Sequence, residues 1–261
     1  MKKLFLLASL SLAVVFLASP AIAGKIYIGD DSTTIGVVDT GTGTVDQTFS
    51  MDRTFTDIAF DPSGNLWGIT FDNLYRINLG AGTSAVVLGP SFGIGLNSLV
   101  FDSAGAAYAM ANNSTNLYTV NTGTGVLSFV GDTTYESMGD LEFVNGDLYL
   151  SGRGTGAPNS SLILIDETDG SASLIGTGLG PSDVFGLAYI DSVLYGAAGT
   201  SLYTIDPITG LASSPIPYTD ANLGAAWGAA SAPVPEPASM LLLGTGLVGL
   251  AAARRRKMKK K

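Results

Sequence analysis

Along most of the chain, apolar and polar residues alternate in short runs, each closed by a cluster of Asp, Asn, Gly, Ser or Thr. Alternation with a period of two marks a half-buried β-strand, and the polar clusters mark the turns between strands. Five stretches share one form: TIGVVDTGTGTV (34–45), NLYRINLGAGTSAV (73–86), NLYTVNTGTGVLSFV (116–130), SLILIDETDGSASLI (161–175) and SLYTIDPITGLAS (201–213). In each, a strand ends in Asp or Asn, and a glycine follows four residues later, at Gly43, Gly82, Gly125, Gly170 or Gly210. The glycines are 39, 43, 45 and 40 residues apart. An Asp or Asn side chain bonds to nearby backbone and opens a turn, and Gly reaches the positive-φ conformation that closes it.

A second form precedes the later four: DIAFDPSGNLWGIT (57–70), SLVFDSAGAAYAMA (98–111), DLEFVNGDLYLSG (140–152) and GLAYIDSVLYGAA (186–198). Phe60, Phe101, Phe143 or Tyr189 ends its first strand, and Trp67, Tyr108, Tyr149 or Tyr195 stands on its second. Together the two forms make four short antiparallel strands in about 40 residues, the period of a propeller blade. GKIYIGDDSTTIGVVD, from residue 24, supplies a second and third strand without a first. NLGAAWGAA (222–230) supplies a first strand alone, with Trp227 aligned on Phe60. The pattern therefore predicts an all-β fold, a five-bladed β-propeller of four-stranded antiparallel blades. The C-terminal strand closes it by completing the first blade. One blade cannot bury both its faces, so its neighbours must cover them. The recurring aromatics are accordingly assigned to the core between blades. The opening IYIGDDSTTIGVVDTGTGTV also resembles, over one blade, the YVTN-type repeat of bacterial surface propellers.

The two ends have a different pattern. Lys2 and Lys3 precede an apolar run to residue 17, and Ala21-Ile22-Ala23 forms an A-x-A site. This is a secretory signal peptide over residues 1–23, cut by signal peptidase after Ala21 and Ala23 have been read. The propeller takes residues 24–231 and a tail takes 232–261. Residues 238–253 carry no charge. As a helix they would span about 24 Å, short of the ~30 Å hydrocarbon core of a bilayer. The basic end at 254–261 can extend a short transmembrane helix by snorkelling. GTGLVG (244–249) is a literal GxGxxG, but the short basic stretch after it has no room for a βαβ unit, so it is not a dinucleotide turn.

Val234, Pro235, Glu236 and Pro237, then the apolar span, then the basic end, resemble the PEP-CTERM sorting signal of exopolysaccharide-producing Gram-negative bacteria. The resemblance implies that a membrane exosortase recognises Pro235, Glu236 and Pro237 and removes the tail. It implies a membrane-anchored precursor and a mature form at the cell surface or outside the cell.

Charge sharpens the picture. The targeting ends hold nine of the 13 basic residues, which leaves Lys25, Arg53, Arg76 and Arg153 against 21 acids in the body, near −17. Such a surface repels phosphate backbones, so nucleic acid is not an expected partner. With no Cys and no His, disulfides, Ser-His-Asp triads and histidine metal sites are excluded.

Candidate chemistry is sparse. Propeller ligands sit at the axis, and the residues three before each blade aromatic are Asp57, Ser98, Asp140, Gly186 and Gly224. Asp57 and Asp140, in alternate blades, can share a cation or water, or can merely cap strands or sit solvated. They are the weak candidates for a metal, with calcium the cofactor considered. DETDG (166–170) lacks the Glu that a calcium loop needs six residues past its Gly, because residue 176 is Gly. The reading is a non-catalytic surface or extracellular-matrix propeller, structural or binding, that can meet an extracellular polysaccharide or another surface protein. The alternative is a carbohydrate-active propeller hydrolase, which needs two carboxylates about 5–10 Å apart.

Overall fold

The computed structural model describes residues 24–87, 91–154, 160–220 and 222–233. The signal peptide, the Pro235-Glu236-Pro237 motif, the span at 238–253 and the basic end lie outside the described residues. Among the described residues, twenty strands form five antiparallel four-stranded sheets. The first blade holds β1 (Lys25–Asp30), β2 (Thr34–Asp39) and β3 (Val45–Ser50). The second holds β4 (Asp57–Phe60), β5 (Leu66–Ile69), β6 (Leu74–Asn78) and β7 (Thr83–Val86). The third holds β8 (Leu96–Phe101), β9 (Ala107–Ala111), β10 (Asn116–Val120) and β11 (Leu127–Asp132). The fourth holds β12 (Glu136–Val144), β13 (Asp147–Arg153), β14 (Ser161–Ile165) and β15 (Ala172–Ile175). The fifth holds β16 (Val184–Ile190), β17 (Val193–Ala198), β18 (Ser201–Ile205) and β19 (Ile216–Pro217).

The last strand, β20 (Ala226–Ser231), pairs antiparallel with β1, so the first sheet runs β20-β1-β2-β3. The inner strands β20, β4, β8, β12 and β16 pack side by side, and β16 meets β20 to close the ring. The predicted five blades and their closing strand are thus present.

Their turns form as the sequence predicts. Asp39, Asn121, Asp166 and Asp206 each accept backbone N–H groups two or three residues on. The five turn glycines have φ between 63° and 77°. Gly210 shows a second constraint: a Cβ there would lie 2.4 Å from the Ile175 carbonyl oxygen of the preceding blade. The turn is therefore also a joint between blades.

The aromatics pack where the repeat assigns them. Tyr27 meets Phe60 edge-on at 4.9 Å, Trp67 meets Phe101 at 5.9 Å, and Tyr108 meets Phe143 at 5.8 Å. Each pair joins the second strand of one blade to the first strand of the next. Edge-on pairing places a positive ring edge on a negative face and adds to the area buried.

The register of β20 corrects one expectation. Gly228 pairs with Gly29 as Asp57 pairs with Ile69 and Asp140 with Ser151. Ser231 therefore takes the place of Phe60, and Trp227 stands at the opposite end of its strand. Gly228, not Gly224, is the fifth member of the row that holds Asp57, Ser98, Asp140 and Gly186. The cause lies in composition: residues 222–230 are small apart from one aromatic, so side-chain pattern gives no register, and a bulge at Trp227 shifts it by a residue.

Candidate functional site

Asp57 on β4 and Asp140 on β12 come together at the axis from non-adjacent blades. Both are fully buried, at 0% and 1% exposure. An innermost strand has no partner on its inner side, so its N–H groups there need acceptors. The two carboxyl groups provide them. Asp57 accepts from the Ile58 N–H through Oδ1 at 2.7 Å and from the Leu99 N–H through Oδ2 at 2.7 Å. Asp140 Oδ2 accepts from the Leu187 N–H at 2.5 Å and, more weakly, from the Ala229 N–H at 3.4 Å. All five blades are stitched this way. Asp140 Oδ1 has no hydrogen-bond partner, and the two buried carboxyl groups lie within electrostatic reach of each other. Burial raises the pKa of both well above the usual carboxylate range, and the charge of Asp57 raises that of Asp140 further. The structure places the two acids at the axis, buried rather than solvated. Gly228 is small because Asp57 fills its place: a Cβ there would lie 2.3 Å from Asp57 Oδ1.

Glu142 was not singled out from sequence. It lies two residues beyond Asp140 on β12 and lines a cavity of about 340 Å³ where the inner strands end, beside Phe60, Phe101 and Phe143. Burial pushes its carboxyl up to about 8, against the opposing effect of the Phe143 N–H, which donates to Oε1 at 3.1 Å. Its signal in the sequence is its column: the matching residues in the other blades are Ala59, Val100, Ala188 and Ala230.

The other end of the axis is built by bulges. Asn97, Phe185 and Trp227 are each an extra residue in their strand relative to the neighbour, and so is the pair Met138-Gly139. A bulge breaks the alternation of side chains and re-aims one of them. Here four bulges at the same level of four blades aim into a cavity of about 200 Å³. Thr56, Phe71 and Asn112 complete its wall, which contains no ionisable side chain. Asn97 is 7% exposed, and its side-chain oxygen has no hydrogen-bond partner.

Asp166 and Asp30, by contrast, have structural partners. Asp166 accepts from the Thr168 N–H at 2.9 Å and hydroxyl at 2.6 Å, which lowers its pKa. Asp30 accepts from the Ser32 and Thr34 N–H groups through Oδ1 and from the Gly224 N–H through Oδ2, which ties the closing segment to the first blade. Among the described residues, no group of three or more acidic residues is placed to hold a metal ion, and no helix is long and apolar enough to cross a membrane.

Comparison with known proteins agrees with both halves of the chain. The family model described as the PEP-CTERM protein-sorting motif matches residues 233–257. No curated protein matches the sequence. Among solved structures, the chain is similar to one from the nidogen/laminin complex, with a TM-score of 0.52, 12% identity, and coverage of 80% of this chain and 98% of that one. It is similar to a symmetrical protein described in a study of de novo evolutionary emergence, with a TM-score of 0.50, 16% identity, and coverage of 77% and 95%. A structural genomics protein of unknown function from Bacteroides thetaiotaomicron VPI-5482 gives a TM-score of 0.51 at 14% identity, with coverage of 74% and 55%. At these identities the likeness shows the fold alone. The chain is thus a five-bladed all-β propeller that carries a PEP-CTERM sorting motif, the mark of an exported protein sorted by an exosortase.

Proposed function

We propose that the propeller is a non-catalytic binding or structural module of the cell surface or extracellular matrix, delivered there by its sorting tail. The observation that carries this reading is the state of the axial carboxyl groups. A glycoside hydrolase needs two carboxyl groups about 5–10 Å apart on either side of a sugar. Asp57 and Asp140 instead are sealed from solvent and are occupied by the backbone of four blades. They act as a plug that holds the ring together. The module is cut from the signal peptide after Ala23 and from its anchor near Pro235-Glu236-Pro237, with signal peptidase and exosortase as its partners in export.

Two measurements test this. Turnover of any member of a panel of glycans by the secreted protein, abolished in Asp57→Asn, would establish the hydrolase reading instead. Mass spectrometry of the mature surface material should find neither residues 1–23 nor residues 254–261; a basic end still attached would overturn the sorting step.

A further inference from the structure

The bulged end of the axis has the makings of a ligand site. Bulges in four blades spend regular pairing to turn Asn97, Met138, Phe185 and Trp227 toward one small space. Buried polar atoms are nearly always satisfied, and an orphan calls for an explanation. The Asn97 side-chain oxygen is such an orphan, on a residue that is more than nine-tenths buried and lines this cavity. The wall combines aromatic rings with a few amides, the usual make-up of a small-molecule pocket.

Charge narrows the ligand. The body carries a net charge near −17, yet this wall holds no acid and no base. A charged ligand would find no counter-ion here and would lose its hydration, so the ligand is neutral. Its polar groups must suit amides, which donate and accept at once. Its body must suit the faces and edges of Phe71, Phe185 and Trp227. A sugar ring meets both conditions, with a C–H face for the aromatics and a rim of hydroxyls for Asn97 and Asn112. The volume of about 200 Å³ equals that of roughly seven waters at ~30 Å³ each, room for a single ring. Phe185 and Trp227 also wall an adjoining cavity of about 440 Å³ beside Tyr203, where the next unit of a chain can lie.

We infer that the bulged axial mouth binds one neutral hexopyranose unit, at the end of a glycan, between the rings of Phe71, Phe185 and Trp227 and the amides of Asn97 and Asn112. This deepens the binding-module reading and rests on it.

The protein's two tryptophans make the test direct. Trp67 lies between blades and donates to Asp61 at 2.9 Å, whereas Trp227 lies in the mouth. The secreted protein is titrated with neutral hexoses, N-acetylhexosamines and their short oligomers while tryptophan emission is recorded. A saturable change is expected, retained in Trp67→Phe. Phe71→Ala and Asn112→Ala, both at exposed positions, should weaken it about ten-fold or more, the scale of one lost contact of ~1.4 kcal/mol. Asn97→Ala should weaken it too, with thermal melting showing that each variant is folded. No saturable response to any neutral sugar, a response untouched by all three variants, or a response to nucleosides and not sugars would each overturn the site. Retention on matrix polysaccharide that is insensitive to Phe71→Ala would overturn the site and leave the binding module standing. Absence of any retention on matrix material would remove the module reading itself.

Discussion

A half-buried acid is the most consequential residue in this molecule. Glu142 keeps its proton to about pH 8 in the folded chain, against an ordinary value of 4.5. Between those limits the unfolded chain has released its proton and the folded chain has not, so folding takes up a proton. Stability conferred by that group is complete below about pH 4.5 and declines as pH rises to about 8, by at most ~1.4 kcal/mol per pH unit. Asp57 and Asp140 are raised by burial and act in the same direction. Asp39, Asp166 and Asp206 oppose it at the acid end. Burial raises Asp39 somewhat, but its bonds to Thr42 and Gly41 prevail and lower it, while Asp166 and Asp206 are lowered by their turn donors. Their contribution is present above the usual carboxylate value and lost as pH falls below it. The melting temperature should therefore peak on the acid side of neutrality and fall toward pH 8. Glu142→Gln should flatten the fall. Asp140→Asn can donate to Asp57 and still accept from the Leu187 N–H, so it should match the parent in acid and exceed it at pH 8. Asp140→Ala leaves the Leu187 N–H without its acceptor and should cost about 1–3 kcal/mol. Melting curves against pH for the three variants decide this, and a parent profile flat from pH 5 to 8 would refute it.

At the scale of turns and strands, the repeat made most of the fold legible. Asp or Asn and Gly, four residues apart, act through local backbone chemistry, so their positions could be read without knowing the tertiary contacts. The prediction at Gly210 comes from geometry on both sides of the joint. Ala there must hold φ near +66° and meet the Ile175 oxygen. The conformation alone costs ~1–2 kcal/mol, and the contact adds to it, so Gly210→Ala should lower stability by about 2 kcal/mol or more. A chemical-denaturation midpoint equal to the parent's would count against the joint. What the sequence did not disclose was register where side chains are small. Gly228, Ala229 and Ala230 offer nothing to distinguish one alignment from the next, and the extra residue of a bulge leaves no mark in a period-two pattern. The mouth was invisible for that reason, whereas Glu142 shows only as the one acid in a column otherwise of Ala and Val. The closing strand makes the cost of this plain. Ending the chain before Ala226 would leave β1 with an unpaired edge and remove the Ala229 donor from Asp140. Such a protein should lose its single cooperative transition by calorimetry; a truncated chain that melts like the parent would show that the ring does not depend on β20.

For the molecule as a whole, the governing quantity is the charge of the body, four basic residues against 21 acids. The ion pairs among the described residues, Lys25 with Asp46, Arg53 with Asp52 and Arg153 with Glu136, are partly exposed, and such pairs contribute ~0–1 kcal/mol each. Most of the surface acids among the described residues therefore repel one another without a basic partner. Self-repulsion destabilises a compact state more than an expanded one, and salt screens it over a Debye length of about 8 Å at physiological ionic strength. The melting temperature of the secreted body should rise with sodium chloride. Calcium is expected to act through the same screening, because Asp57 and Asp140 are sealed from solvent and the turn acids are bonded to their own backbone. Calcium chloride and sodium chloride at matched ionic strength should thus give equal increments, followed by differential scanning fluorimetry with and without chelator. An increment specific to calcium that chelation removes would mean that the acidic surface assembles a cation site, and the body would then be held together by an ion as well as by its ring of sheets.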